Sequence, residues 1–281
     1  MLGYRHAFHA GNHGDILKHL VLYHCLRYMT RKPKSLQYVD THAGSGSYRL
    51  DEGFAAKNRE WETGFGRLSG ENAEGSMPNS VREYLDFVLD YRRGHPGEFP
   101  GSPAIAASIL RPKDRLILDE LHPSDLEELR ARFSADPRAQ VRGSDGFAVL
   151  RAVLPPPYRR GLVLMDPPYE LASEYDRVPD SLEDALRRFE TGTFLVWYPL
   201  LERPEARSLK ARLSALTDRP KLIAELRIRR TLPGDRGLGG SGMFVVNPPW
   251  TLEAALRSAL PFLAETLGQD ASSSGGVEIE A

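Results

Sequence analysis

Short apolar segments alternate with segments of helical spacing along most of the chain. Seven segments have the length and composition of strands, and they lie at residues 35–39, 115–119, 139–142, 161–165, 193–197, 221–228 and 243–246. Helical spacing of apolar residues is found at residues 124–133, 147–153, 181–189, 204–216 and 252–267. This alternation predicts an α/β, Rossmann-like fold with a doubly wound, mostly parallel seven-stranded sheet.

One long segment after the first strand breaks this alternation. Residues 48–100 contain turn-rich stretches and one helical pattern, and their length far exceeds an ordinary connection, so we expect a small inserted helical subdomain. The predicted division of the chain is an N-terminal arm and helix over the expected site at residues 1–34, a Rossmann-like domain at 35–47 and 101–267, the insert at 48–100, and a flexible, glycine- and serine-rich tail at 268–281.

The N-terminal arm is polar and rich in glycine and histidine. Asp15 is placed to cap a helix over residues 16–30, and five of the eight histidines precede residue 25. A metal site is one interpretation, but the glycines oppose a helix that would align His9 with His13, so we expect no metal. A surface for phosphate and base contacts and a plain solvated arm both stay open. We further expect residues 4–18 to form a lid outside the core.

Acidic residues follow four of the predicted strands, at Asp40, Glu120, Asp145 and Asp166. Because ligands of a doubly wound sheet bind beyond the carboxyl ends of its parallel strands, we expect these carboxylates to face one site. Gly44 permits close approach of a ligand, whereas the missing third glycine and P-loop lysine disfavour phosphate. Glu120 suits two ribose hydroxyls, and Asp145 with Gly146 suits an adenine amine. The pattern predicts a nucleoside-like cofactor without phosphate groups.

The segment that follows the strand at 161–165 has the composition of a clamp for a planar amino group. Its residues are Asp166, Pro167, Pro168 and Tyr169. The Asp166 carboxylate and the Pro167 carbonyl can each accept one N–H, the prolines fix the backbone, and Tyr169 offers a face for stacking. The motif alone fits equally well a proline-rich turn that ends a strand, with Asp166 as a cap.

A second motif of the same form occurs near the end of the chain, at Asn247-Pro248-Pro249-Trp250. It follows the last predicted strand, where no further cofactor-binding strand ends are expected. Unless the domain is circularly permuted, it therefore lies at the wrong strand for an amine clamp. We interpret it as a structural turn into the last helix.

Composition restricts the class of protein further. The 281 residues carry a net charge of −1, so any surface for nucleic acid must be local. Cys25 is the only cysteine, which excludes intramolecular disulfides and fits a reducing compartment. No signal-like segment and no run approaching a membrane span is present, and we expect a soluble cytoplasmic protein without membrane contact.

The order of strand-end groups resembles class I S-adenosylmethionine-dependent methyltransferases, and the Asp-Pro-Pro-Tyr form resembles their amino-nitrogen branch. Further segments together resemble the bacterial ribosomal large-subunit RNA methyltransferase J family. These segments are residues 4–13, 18–19, 40–44, 100–103, 120–125, 197–199, 241–243 and 247–250. The resemblance spans nearly the whole chain except the tail. It is weakest in the insert, so the role of the insert in docking a substrate is open.

This resemblance implies transfer of a methyl group from S-adenosylmethionine to N6 of an adenosine in 23S ribosomal RNA. It implies catalysis by Asp166. The positions that match contacts to the cofactor are His19, His42, Ser102, Glu120, Asp145, Gly146 and Asp166, to which the glycine argument adds Gly44. The positions on the substrate side are Tyr4 and Lys18, to which the clamp adds Pro167, Pro168 and Tyr169.

Two alternatives to this function remain open from the sequence. They are a DNA adenine-N6 methyltransferase and a non-catalytic RNA-binding protein that retains the fold. Basic residues expected to hold RNA phosphates are Arg5, Lys18, Arg229, Arg230 and Arg236. We expect a monomer, and the sequence does not identify the adenosine.

Overall fold

An eight-stranded sheet forms the centre of the structure, a computed structural model that describes residues 5–70, 77–232 and 237–280. The strands of this sheet are β1 (Gln37–Asp40), β4 (Arg115–Asp119), β5 (Ala139–Arg142), β6 (Gly161–Met165), β7 (Thr193–Pro199), β8 (Lys221–Arg227), β9 (Gly240–Val246) and β10 (Ser274–Glu280). Two short strands, β2 (Ser47–Arg49) and β3 (Glu98–Pro100), pair separately. The order in the main sheet is β10-β8-β9-β7-β6-β1-β4-β5.

Helices connect most of these strands. They are α1 (His13–Met29), α2 (Ala55–Asn58), α3 (Phe65–Leu68), α4 (Asn79–Gly94), α5 (Ser102–Ile109), α6 (Pro123–Phe133), α7 (Gly146–Val153), α8 (Glu174–Arg188), α9 (Pro204–Ser214) and α10 (Leu252–Leu267). Short 3₁₀ turns lie at His6–Phe8 and Glu60–Glu62. Within the described ranges, no helix is long and apolar enough to cross a membrane.

Five neighbouring strands of the sheet are parallel. β1 pairs in parallel with β4 on one side and β6 on the other, and β5 and β7 extend the parallel part outward. The chain therefore winds in both directions from β1, which confirms the doubly wound prediction and puts the switch in strand order between β1 and β6. The carboxyl ends of these five strands share one edge, which we call the carboxyl edge. Their amino ends share the opposite, amino edge.

The sequence was expected to end in a flexible tail at residues 268–281, and this interpretation is wrong for most of it. Ser274–Glu280 forms β10, which pairs antiparallel with β8 over its whole length and packs on α10. The glycines and serines of the tail gave no strand signal, because this pairing is supplied by the free edge of β8. Val277 packs against the core, and an eighth strand joins the seven expected ones.

The insert is helical, as its sequence indicates, but it shares its core with the rest of the chain. Phe65, Val81, Tyr84 and Phe99 belong to the same hydrophobic cluster as the residues of α1. Large aromatic side chains with little exposed area contribute much to burial on folding, which explains why the insert packs so closely. The boundaries of the segments stay a prediction.

Helix α1 differs most from expectation. Asn12 is its N-cap, accepting from the backbone N–H of Asp15 at 3.1 Å, and the helix begins at His13 instead of residue 16. The Asp15 carboxylate accepts from Gly11 N at 2.9 Å, so it closes the preceding turn and does not cap. Residues 13–23 are buried, and the lid outside the core that was expected at residues 4–18 is wrong for the described part of the helix.

We predict that Leu17→Ala lowers the free energy of unfolding by about 2–5 kcal/mol, because Leu17 is fully buried where α1 packs on the sheet. Chemical denaturation of both proteins measures this change. The matched control is Leu171→Ala, since Leu171 is 61% exposed and its truncation should stay within about 0.5 kcal/mol. Equal effects of the two substitutions would contradict the central position of α1.

Candidate active site

Two cavities adjoin at the carboxyl edge. The first, the strand-end cavity, has a volume of about 300 Å³ and is lined by His6, Thr41, His42, Gly44, Glu120, Leu121, His122, Asp125, Asp145, Gly146, Phe147, Asp166, Pro168, Leu171, Glu174 and Arg177. The second, the arm-side cavity, has a volume of about 270 Å³ and is lined by His6, His9, Asn12, Gly14, Asp15, Lys18, Asp166, Pro168, Tyr169, Glu170, Trp197, Pro199, Leu201, Arg203 and Leu238. His6, Asp166 and Pro168 line both, so Asp166 stands where the two cavities meet.

A chain of charged groups fixes Asp166 at this junction. Lys18 Nζ donates to Asp166 Oδ2 at 2.6 Å and lies 2.8 Å from Asp15 Oδ1. His6 Nε2 lies 3.0 Å from both oxygens of Asp15. The buried first turns of α1 are thereby joined to the residue that follows β6.

Burial and charge act in opposite directions on these groups. Burial favours a raised pKa for Asp15, but the neighbouring His6 and Lys18 hold that pKa well below its usual value. Burial would likewise lower the pKa of Lys18, yet Asp15 and Asp166 raise it above its ordinary value. Lys18 therefore stays charged and is only 4% exposed. This geometry favours a role for Lys18 in orienting Asp166. It does not favour the contact with an RNA phosphate that was expected from the sequence.

The predicted amine clamp lies against the arm-side cavity. Tyr169 adopts a left-handed backbone conformation, with φ of 53°, and its hydroxyl donates to the Trp197 carbonyl at 2.8 Å. A non-glycine residue in this conformation must be held by its surroundings, and the hydrogen bond with the buried ring supplies that hold. Pro168 and Tyr169 line the cavity, whereas Pro167 is buried behind them.

Glu120 presents a carboxylate to the strand-end cavity. Its two oxygens accept from Gly44 N at 2.8 Å and from His122 N at 2.7 Å, and each keeps further acceptor capacity. Burial raises the pKa of Glu120 above its usual value, while these backbone donors lower it. The backbone therefore orients Glu120 toward any hydroxyl group in the cavity.

Gly44 and Gly146 are required by protein contacts as well as by any ligand. A Cβ at Gly44, where φ is 59°, would lie 2.0 Å from the Tyr48 hydroxyl. A Cβ at Gly146 would lie 1.8 Å from the Thr41 carbonyl oxygen. Both positions therefore exclude any larger residue.

Asp145 is already engaged by neighbouring groups. It is the N-cap of α7, accepting from Phe147 N at 3.0 Å, and its other oxygen accepts from Arg177. The Arg177 guanidinium also lies 4.4 Å from the centre of the Phe147 ring. Phe147 and Arg177 line the cavity but were missed from the sequence, where a helix apolar position and an exposed helical arginine give no signal.

His42 is a half-buried, neutral base that lines the strand-end cavity. Burial lowers its pKa to about 4, although Asp166 and Asp145 act in the opposite direction. Its Nδ1 lies 2.8 Å from Thr41 Oγ1, and its ring packs edge-on against Phe147 at 5.0 Å. The imidazole is therefore uncharged at neutral pH and can serve as an apolar wall with one polar atom.

Two predicted cofactor residues, His19 and Ser102, are not among the residues that line either cavity. Ser102 Oγ donates to Asp40 Oδ2 at 2.7 Å, and the Tyr38 hydroxyl donates to the same oxygen at 2.6 Å. Burial raises the pKa of Asp40 to about 6. His19 is 1% exposed, and within the described ranges neither of its ring nitrogens has a hydrogen-bond partner.

The described part of the arm crosses the strand-end cavity. Arg5 Nη2 donates to Asp125 Oδ1 at 2.6 Å and its guanidinium lies 4.6 Å from the centre of the Phe54 ring. Arg5 is thus paired with a carboxylate, whereas the sequence analysis expected it to contact an RNA phosphate. Two residues named from the sequence, Tyr4 and Arg236, lie outside the described residues. Arg229 and Arg230 line neither cavity.

The second proline-rich motif lies at the amino edge, away from Asp166. β9 is antiparallel to β7, so its carboxyl end meets the start of β7. The Asn247 side chain donates to the carbonyls of Glu190 at 2.8 Å and Gly192 at 2.7 Å. Its amide is therefore occupied in fixing a turn, as the sequence predicts.

In the three described ranges, no three His, Cys, Asp or Glu side chains are grouped so that they could hold a metal ion.

Comparisons with known proteins agree over almost the entire chain. A family model described as "Ribosomal RNA large subunit methyltransferase D, RlmJ" matches residues 33–280. The chain is 43% identical over 280 residues to ribosomal RNA large subunit methyltransferase J of Haemophilus influenzae, covering 99% of this chain and 98% of that protein. It is 42% identical over 270 residues to the protein of the same name from Escherichia coli strain K12, covering 95% and 94% respectively.

Solved structures show the same architecture. The crystal structure of protein LPL1258 from Legionella pneumophila superposes with a TM-score of 0.85 at 30% identity, covering 97% of this chain and 98% of that chain. A probable spermidine synthase from Corynebacterium glutamicum superposes with a TM-score of 0.52 at 12% identity, covering 94% and 75%. The second likeness concerns the fold alone. The Rossmann-like class I methyltransferase fold predicted from the sequence is confirmed.

We predict opposite outcomes for the two proline-rich motifs. Asp166→Ala should abolish methyl transfer, whereas Asn247→Ala should leave the rate per folded molecule nearly unchanged and lower the free energy of unfolding by about 1–3 kcal/mol, because two backbone carbonyls lose their donor. Single-turnover kinetics and thermal melts of both variants measure this. An equal loss of rate in both variants would show that the clamp was assigned to the wrong motif.

We also predict a pH effect on stability from His42. Its folded pKa of about 4 lies below the unfolded value of 6.5, so the stability that it contributes is present above pH 6.5 and is lost as pH falls toward 4. Between pH 7 and pH 5 the protein should lose about 2 kcal/mol more than the His42→Asn variant. Denaturant unfolding at both pH values provides the measurement, and identical losses would contradict an imidazole that the folded protein holds neutral.

Proposed function

This chain belongs to the RlmJ family of ribosomal RNA large subunit methyltransferases, and we propose that it transfers a methyl group from S-adenosylmethionine to N6 of an adenosine in 23S ribosomal RNA. The observation that carries the proposal is the position of Asp166. It lines both cavities, so one carboxylate can face an amine in the arm-side cavity and a methyl donor in the strand-end cavity.

The strand-end cavity fits S-adenosylmethionine in its chemistry. Five carboxylates line it, at Glu120, Asp125, Asp145, Asp166 and Glu174. This lining would repel a phosphate and favours a cofactor that carries a positive sulfonium. When bound, the cofactor supplies an activated methyl group. We propose that Glu120 accepts from the ribose hydroxyls, as its backbone-fixed orientation allows.

The nucleobase of the cofactor would lie between His42 and the helix start at Gly146. Phe147 and neutral His42 provide flat, uncharged surfaces there, and Asp145 provides an acceptor for the exocyclic amine, which it would share with Arg177. The contact of His19 with the cofactor stays a prediction, because His19 lines neither cavity and its Nε2 lies 3.6 Å from Asp15 Oδ1. We propose that Ser102 acts on the cofactor through Asp40, because the Ser102 hydroxyl donates to the Asp40 carboxylate.

The arm-side cavity would receive the acceptor adenine after it leaves its stack. Lys18 occupies Asp166 Oδ2, which leaves Oδ1 to accept one hydrogen of the N6 amine. We propose that the Pro167 carbonyl accepts the other hydrogen and that Tyr169 stacks on the ring. Tyr169 is suited to this because the Trp197 carbonyl fixes its hydroxyl.

In the proposed reaction, these residues mainly bind and orient. The amine would be held with its nitrogen directed at the strand-end cavity. Attack by this nitrogen on the methyl carbon, with cleavage of the bond between that carbon and the sulfonium sulfur, would need no strong base, because the proton would leave after the new bond forms. The arm residues and the aromatic walls exclude water. The Lys18 ammonium keeps the Asp166 carboxylate in one orientation, so that proximity does most of the work.

We infer that the protein acts as a monomer in the cytoplasm, because ribosomal RNA is made there. The decisive experiment is mass spectrometry of nucleosides from 23S ribosomal RNA of cells that lack this protein. N6-methyladenosine should decrease by one residue per RNA, return with the unaltered protein, and stay absent with Asp166→Ala.

Three results would contradict the proposal. Unchanged N6-methyladenosine would show that 23S RNA is not the substrate. Preferential methylation of DNA over RNA by the purified protein, in a competition at equal concentrations, would favour the DNA adenine methyltransferase. Binding of RNA without any transfer would favour the non-catalytic alternative.

A further inference from the structure

Trp250 is the most exposed of the large apolar side chains in the described ranges, at 78%. It belongs to the turn after β9, at the amino edge of the sheet. The turn is held by the Asn247 side chain and by its two prolines, and nothing in these contacts requires an indole. The Trp250 ring meets Tyr28 edge-on, with ring centres 6.4 Å apart. An exposed aromatic ring of this size is typical of an interaction site.

A cavity of about 400 Å³ lies beside this ring, with a positive lining. Its wall includes Lys32, Arg159 and Arg160 together with polar groups of Thr191 and Thr193, and the described residues that line it include no carboxylate. The cavity is distinct from both cavities at the carboxyl edge, with which it shares no lining residue. Its chemistry favours an anion with an attached planar group.

The loop after α1 brings further cations to the same place. Arg31, Lys32 and Lys34 are exposed, and the ion pairs of the described ranges include none of these three or Arg159. The loop backbone is nevertheless fixed. Arg111, itself held by Asp114 at 2.8 Å, donates to the carbonyls of Thr30 at 2.8 Å and of Lys34 at 3.0 Å. Arg160 donates to the Met29 carbonyl at 2.7 Å.

The consequence is a preorganised set of cations around an exposed ring. Because no carboxylate neutralises these charges, the surface around the ring is positive and attracts an anion. We call the surface formed by Arg31, Lys32, Lys34, Arg159 and Trp250 the amino-edge patch.

We propose that the amino-edge patch binds a single-stranded stretch of RNA, with its cations on phosphates and the Trp250 ring stacked on a base. Backbone contacts from Lys and Arg combined with aromatic stacking are the two elements of sequence-tolerant single-strand binding. A membrane surface fits less well, because Thr191, Thr193 and Asn247 beside the ring are polar and the surface is concave. The inference rests on the proposed function for the identity of the polyanion.

The position of the patch determines its effect on catalysis. It lies at the amino ends of β6 and β7, while Asp166 follows the carboxyl end of β6, and five residues of strand span about 17 Å. RNA must extend beyond the target nucleotide to reach both places. The patch should therefore strengthen binding of long RNA and leave the chemical step unchanged.

The test compares Trp250→Ala with Trp250→Phe, which keeps a stacking face, and with the double variant Lys32→Glu, Arg159→Glu. The matched control is Arg130→Glu, an exposed arginine of α6 beside the distant strand β5. The measurements are binding of a fluorescein-labelled single-stranded RNA, methylation kinetics on full-length 23S RNA and on a short fragment that contains the target, and thermal melts.

We expect Trp250→Ala and the double variant to raise the KM for full-length RNA about tenfold with kcat unchanged, since one stacked base contributes about that factor. The double variant should also reduce the salt dependence of binding, by about one in logarithmic slope per lost phosphate contact. Trp250→Phe should restore most of the affinity, and Arg130→Glu should change it less than twofold. The KM for the short fragment should be unaffected.

Three results would overturn the inference. The first is an RNA affinity of Trp250→Ala and of the double variant that equals the affinity of the unaltered protein. The second is an equal rise in KM for long and short RNA. The third is a decrease in kcat without a change in melting temperature. In each case transfer by the unaltered protein still supports the proposed function. Absence of transfer by the unaltered protein would instead contradict the proposed function itself.

Discussion

The contact of Lys18 with Asp15 and Asp166 is the constraint on which the site depends. A lysine ammonium with 4% exposure is stable only when its charge is paired, and each carboxylate here comes from a different part of the chain. The helix that fills the core therefore also fixes the carboxylate at the junction of the two cavities. Loss of Lys18 would leave two acidic groups close together, so folding and site geometry cannot be separated at this position.

Charges of opposite sign are concentrated on two different surfaces of this nearly neutral protein. The strand-end cavity is acidic, which suits a sulfonium and opposes phosphate, whereas cations gather on the loop after α1 and at Arg159. With the proposed function, this separation would keep a polyanion out of the strand-end cavity and hold it at the opposite edge of the sheet. The net charge of −1 does not reveal this separation, because it is a sum over the acidic and the basic surfaces together.

The sequence predicts those parts of the site that depend on local pattern. Glu120 and Asp166 directly follow parallel strands, and parallel strands place their ends at one edge, so their proximity follows from the alternation alone. Asp40 ends β1 at the same edge but is fully buried and lines neither cavity, contrary to expectation. The pairing of Lys18 with Asp166 does not follow from the alternation, because 148 residues separate them and no periodicity links the two. The cap of α1 was misassigned for a related reason: Asn12 and Asp15 are both good N-cap residues, and only the tertiary contact of Asp15 with His6 and Lys18 decides between them.

The two proline-rich motifs show how topology assigns a role to a local sequence. Each follows a strand, and in each the residue before the prolines is held by hydrogen bonds of its side chain. After parallel β6 the segment emerges at the carboxyl edge, where cavities form between diverging connections, and Asp166 is left facing them. After antiparallel β9 it emerges at the amino edge, where the Asn247 amide is used within the turn and only the aromatic ring is left exposed. The direction of the preceding strand, which no four-residue motif encodes, therefore separates the proposed amine clamp from a turn that presents Trp250 to the surface.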